Sequence, residues 1–92
     1  MAKKEFTGLW VPIDILQNEE LTSTEKLVLA VIYGLSKDGR CTASNQYIAE
    51  ITGSGPKNVE KIIPKLEKME YFSTKHFKDE KNIHRRIIYP PY

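Results

Sequence analysis

Lys57, Lys61 and Lys68 lie four and seven residues apart, with Asn58 and Lys65 beside them and Ser54 just upstream. On a helix turning about 100° per residue, with Val59 facing inward, these three lysines fall near the opposite face, Pro64 stands among them and Lys65 is close by. An ammonium on such a face can donate to phosphate oxygens or to the major-groove acceptors of guanine, and an asparagine amide can pair with adenine. Ser54, Lys57, Asn58 and Lys61 are therefore the candidates for base-edge contacts, and Lys65 and Lys68 for the phosphate backbone. Each also has a plainer reading, as a solvated lysine or a polar residue at a helix start.

A reading face of this kind needs a helix held at a fixed angle to a second one. Between Ser44 and Phe72, Gly53 and Val59 follow Ala49 by four and ten residues. A small residue lets two helices cross closely, a glycine supplies a positive φ in the turn, and a β-branched residue docks the second helix. Ile48, Ile51 and Ile62 add apolar contacts. The order reads as a helix-turn-helix, in which the first residues of the second helix meet base edges. Ser44 caps a helix running through Thr52, Gly53-Ser54 makes the turn, and Gly55-Pro56 opens the next helix, where the missing proline amide hydrogen costs nothing. Val59, Ile62, Ile63, Leu66 and Met69 mark its buried stripe. Pro64 lies inside that pattern and predicts a kink, not a break: it removes one backbone bond and crowds the Glu60 carbonyl, at about 3 kcal/mol in an isolated helix, but Leu66 and Met69 continue the stripe beyond it. The kink would confine base contacts to residues 54–61. At the start of the preceding helix, Asn45 and Gln46 are placed for phosphate, near free amides and a positive dipole end.

Supporting elements are legible on both sides. Thr22-Ser23-Thr24-Glu25 is a capping box that starts a helix at Ser23. Leu27, Val28, Val31, Ile32 and Leu35 recur on one face, and Lys37-Asp38-Gly39 predicts a cationic last turn and a left-handed stop, for a length of about 15 residues. Arg40-Cys41-Thr42 is a connector or a one-bridge strand. Upstream, Phe6 to Leu16 reads as an arm, with extended Leu9-Trp10-Val11 and then Pro12 at the first position of a short helical turn through Ile13 to Gln17. Residues 1–20 are expected to form this arm, packed on the core, and 21–92 the main domain.

Tyr71 to Phe77 and Ile83 to Tyr89 are aromatic and β-branched segments around polar Lys78-Asp79-Glu80-Lys81-Asn82, the pattern of a β-hairpin. Three helices and a terminal hairpin make a winged helix-turn-helix: mainly α with a small hairpin, an α+β fold. The wing carries a basic rim of Lys75, Lys78, Lys81, Arg85 and Arg86 for the DNA backbone, joined by His76 and His84 if a phosphate raises their protonation. Alternation puts Tyr71, Ser73, Lys75 and Phe77 on one face and Phe72, Thr74 and His76 on the other. Arg85 and Arg86 point to opposite faces, so one of the two is expected at DNA, while Ile83, Ile87 and Ile88 are expected in the core.

Composition agrees and excludes several classes. The chain has 92 residues, of which 40% are apolar, enough for one small core. Net charge is only +2, but residues 1–53 carry five Lys/Arg against seven acids and residues 54–92 nine against five. The basic half begins where the reading helix begins. The single cysteine, Cys41, excludes an internal disulfide and is expected as a small buried residue; with His76 and His84 distant in sequence there is no metal-ligand cluster and no metal is expected. No apolar run approaches the ~20 residues of a membrane span, and Met1-Ala2-Lys3-Lys4 leads into no signal core, so a cytoplasmic, membrane-free protein is expected. No carboxylate pair, phosphate-cradling loop or based nucleophile is present: the chain is read as a non-enzyme without cofactor.

From Leu21 to Phe72 the chain resembles the helix-turn-helix domain near the N-terminus of replication initiators and related regulators of bacterial phages and plasmids. The resemblance rests on Leu21-Thr22, Glu25-Lys26-Leu27-Val28, Ser44, Ile48-Ala49-Glu50, Gly53, Val59 and Leu66-Glu67-Lys68, together with the arm's Val11-Pro12. Ser54 and Gly55 depart from the apolar residue and capping serine usual there. The resemblance implies binding of double-stranded DNA, most naturally in replication initiation of a mobile element, with replication proteins as further partners. Two alternatives stay open: a transcriptional regulator with the same binding mode, and a winged helix used as a protein-interaction module, which exposed Trp10, Tyr89 or Tyr92 would favour. No coiled-coil seam decides between monomer and dimer.

Overall fold

Thr22 begins the central helix as its capping box predicts. The Glu25 amide donates to the Thr22 hydroxyl at 3.2 Å, and Glu25 Oε1 accepts from the Thr22 amide at 2.9 Å. The computed structural model describes residues 8–36 and 39–91. Its elements, in chain order, are α1 (Ile13–Leu16), α2 (Ser23–Gly34), α3 (Asn45–Thr52), α4 (Pro56–Lys68), β1 (Ser73–Lys78) and β2 (His84–Tyr89). The three longer helices pack on one another and the hairpin follows, a winged helix-turn-helix.

Val28, Leu29, Ala30, Val31 and Ile32 are consecutive and all buried, so α2 is enclosed on most of its circumference by its neighbours. That explains two departures from the one-face reading: Leu29 is fully buried, whereas Leu27 is exposed. The helix also ends early, at Gly34. Buried Ser36 turns its hydroxyl back onto the Ile32 carbonyl at 2.6 Å and satisfies the last turn where a further helical amide would have done so. Gly39 is left-handed (φ 92°), but it closes a separate turn onto the Ser36 carbonyl instead of ending the helix. Lys37 and Asp38 lie outside the described residues, as does Phe6 of the arm.

The arm meets the core through Ile15, which is buried, and Val11, which packs against the core; Leu21, the first residue after the arm, is buried as well. Pro12 stands one position earlier than expected, as the cap of α1, with Ile13 as the first helical residue. Asn18 Nδ2 donates to the Tyr71 hydroxyl at 2.5 Å, and the Tyr33 hydroxyl to the Tyr71 carbonyl at 2.8 Å. Tyr71 thereby ties the arm and α2 to the segment that leads into the wing.

The turn between α3 and α4 follows its residues. Ser44 Oγ accepts from the Tyr47 amide at 3.1 Å, and Gly53 takes φ 76°, ψ 10° while its amide donates to the Ala49 carbonyl at 2.8 Å. Val59, Ile48 and Ala49 are buried where the helices meet. Gly55 caps α4 without a side-chain bond and Pro56 is its first residue. Pro64, on the exposed side, leaves α4 uninterrupted to Lys68. After Met69, Glu70 enters the left-handed region (φ 68°), its amide donating to Glu67 and the Tyr71 amide to Leu66. This is the Schellman arrangement with glutamate in the place glycine usually takes.

The wing is antiparallel, with Ser73 opposite Tyr89, His76 opposite Arg86 and Lys78 opposite His84. Cys41 is buried and bridges to Ile88 by two backbone bonds of 2.8 Å, adding a one-residue third strand on the far side of β2. Ile88 is core as expected. Ile87 is only half-buried, and Ile83, which lies in the loop before β2, is exposed.

Candidate nucleic-acid interface

α4 presents two chemically distinct sides. Val59, Ile62, Ile63 and Leu66 are buried, whereas Lys57, Asn58, Lys61 and Lys68 are exposed. The side chains free to meet a groove are thus held by a helix whose opposite stripe is locked in the core. Ser54 is half-buried in the turn, and its amide donates to Thr52 Oγ1 at 3.3 Å. Its position is set by the turn's own hydrogen bonding more than by any outward reach.

Lys65, expected at the DNA backbone, is engaged elsewhere. Its Nζ lies 3.0 and 2.8 Å from the two carboxylate oxygens of Glu25, forty residues earlier, and its side chain is 46% exposed. Burial raises the Glu25 carboxyl, but the Lys65 hydrogen bond, the Thr22 amide and the Lys65 charge outweigh it and hold the group below its ordinary value. Glu25 therefore serves the cap of α2 and an ion pair to α4 at once, which fixes how these helices sit together.

In the wing, Lys75, Lys78 and Lys81 are exposed. Asp79 accepts from the amides of Lys81 (2.9 Å) and Ile83 (3.0 Å) and from Arg85 Nε (2.8 Å). The Ile83 amide and then Arg85 lower its carboxyl, while Asn82 turns the chain with φ 63°. Arg85 is thus drawn to the loop on the outer face. Arg86, on the other face, reaches inward: Nη1 donates to Asn45 Oδ1 at 2.7 Å and Nη2 to the Ala43 carbonyl at 2.8 Å. Arg86 and Asn45, both expected at DNA phosphate, meet each other and join the wing to the start of α3. Gln46 remains exposed one residue on.

Alternation in the sequence separated Arg85 from Arg86 without saying which one faces inward. The signal was there: Arg86 shares its face with Ile88, the apolar residue of β2 that the core takes. The pairs Lys65–Glu25 and Arg86–Asn45 had no such signal, since nothing local links residues some forty positions apart.

A family model described as a helix-turn-helix domain matches residues 19–72, more than half of the chain. The chain belongs to that family. No curated protein and no solved structure matches it. The match to the helix-turn-helix domain runs from just before the capping box of α2 to Phe72, so it covers the core helices and stops at the wing. Among the described residues no helix is long and apolar enough to cross a membrane.

Proposed function

We propose that this helix-turn-helix protein binds duplex DNA, with the first turns of α4 in the major groove, and that it acts in replication initiation of a bacterial mobile element. The observation that carries the reading is the pairing on α4 of an outward Lys57, Asn58 and Lys61 with an inward Val59, Ile62 and Ile63. Such a helix is anchored by its inward stripe and carries exposed lysines and an asparagine as donors for base edges, with Glu60 the one exposed acid among them. Lys68 and the wing lysines extend the same charge toward the phosphates.

Salt titration tests the binding. Each phosphate contact should contribute a slope of about −0.9 to log affinity against log salt, so several contacts give a steep fall. A flat dependence without retained duplex overturns the reading. Selection of duplexes from a random pool tests the context: repeated short sites favour an origin binder, and a palindrome favours a dimeric transcriptional regulator. A second reading, docking of a protein partner, has its own support in Trp10, which is 78% exposed, with Ile13 and Leu16 of the same arm exposed as well. Tyr89 is exposed as well, and Tyr92 lies outside the described residues. A pool without enrichment favours that reading.

A further inference from the structure

Between the start of α3 and the wing is a cleft of about 310 Å³, lined by Thr42, Ala43, Ser44 and Asn45 on one side and His76, His84 and Arg86 on the other, with Arg85 also in the lining although its guanidinium turns away to Asp79. We infer that this cleft seats one phosphodiester of bound DNA, and that the His76–His84 pair takes up a proton when it does so; the inference rests on the duplex-binding reading above.

Three observations converge on an anion. Arg86 is partly buried, its guanidinium donates to two neutral acceptors, Asn45 Oδ1 and the Ala43 carbonyl, and its buried Nε has no hydrogen-bond partner among the described residues. A cation in that position is costly until an opposite charge arrives. The cleft lining, secondly, contains no carboxylate. Its charged and titratable members are Arg85, Arg86 and the two imidazoles, Lys78 stands directly across the ladder from His84, and the facing α3 side offers neutral Ser44 and Asn45. Asp79 answers Arg85 from the wing loop, outside the lining. Thirdly, the amides of Asn45 and Gln46 donate to no acceptor among the described residues, which leaves the first turn of α3 with hydrogen-bonding capacity beside the same cleft.

The histidines bring the proton. Their rings are nearly parallel (8°) with centroids 5.0 Å apart, and His76 Nδ1 lies 3.1 Å from His84 Nε2. At that distance one N–H can span the two nitrogens, from either ring. A further proton can enter at an outer nitrogen and leave that bond intact, whereas a second would set two donors against each other. Arg86 and Lys78 oppose a further positive charge on the pair, and a phosphate seated in the cleft would offset them and favour its uptake. These are the chain's only two histidines, so their contribution can be isolated near neutral pH.

The test measures affinity for a mixed-sequence duplex of about 20 base pairs, roughly two helical turns, between pH 6 and 8 at fixed ionic strength. In parallel, NMR follows the imidazole signals of His76 and His84 during addition of the duplex and, separately, of inorganic phosphate. Affinity should rise toward acid by up to about tenfold per pH unit, the limit for one proton taken up, and both imidazoles should shift with the duplex. The doubly substituted H76Q/H84Q protein should show a nearly flat profile; both rings are exposed, and thermal melting checks that the fold is retained. Duplex bound with an unchanged profile in the double variant, or with stationary imidazole signals, overturns the cleft assignment and leaves DNA binding standing. Signals moved by inorganic phosphate but not by bound duplex also overturn it. Failure to retain duplex at every pH removes both readings together.

Discussion

The cations of α4 and those of the wing base are chemically alike in sequence but are used differently. Lys57 and Lys61 stand in solvent on the outward side of a helix whose inward side is core, and no side chain among the described residues pairs with them. Arg86 is part of the frame: it clamps the wing to Ala43 and Asn45 and meets no carboxylate. Lys65 belongs with Arg86, since it serves Glu25. Charge counted along the chain thus does not distinguish cations that stand free in solvent from those that also fix the angle between elements.

Removing a framing cation should cost stability, and removing a solvated one should cost binding alone. Arg86→Ala should give the largest effect, a loss of about 2–3 kcal/mol in chemical denaturation, because the Asn45 and Ala43 oxygens lose a charged donor in a partly buried place. An unchanged midpoint would erase the distinction. Lys61→Glu should lower duplex affinity about tenfold or more while leaving thermal stability within about 0.5 kcal/mol. Equal binding by this variant would take α4 out of the interface.

Glu25→Gln should cost about 1 kcal/mol at pH 7, since the Lys65 pair is weakened while an oxygen still remains for the cap. The pH dependence sharpens this. The folded Glu25 carboxyl lies below its ordinary 4.5, so its stabilisation is fully present above that value and is lost as pH falls through the lowered folded one. Acid unfolding of the Gln variant should be correspondingly shallower, as read by circular dichroism; an identical acid limb would remove Glu25 from the frame. The smallest effect is a gain: Glu70→Gly should stabilise by about 0.5 kcal/mol, because the left-handed turn after α4 suits glycine better. A loss on that substitution would mean that Glu70 contributes a contact beyond its turn.

Much of the fold was legible because its signals are local. A capping threonine and its glutamate, Ser44 before α3, the left-handed Gly53, Pro56 at a helix start and the alternation of the hairpin each act within a few residues. Where a neighbour's packing or a side chain's return bond intervened, the reading slipped: α2 buries Leu29 and exposes Leu27, and Ser36 ends the helix before the expected cationic turn. The site divided in the same way. The outward set Lys57, Asn58 and Lys61 follows from helical period alone, and the inward turn of Arg86 does not.

By itself the sequence determined the helix-turn-helix order, the wing and the basic half of the chain, since helix caps, glycine dihedrals and apolar period are properties of short segments. Only the tertiary structure decided which cations remain available. That choice depends on contacts such as Lys65 with Glu25 and Arg86 with Asn45, forty and forty-one residues apart, which exist only once the core has brought α2, α3, α4 and the wing together.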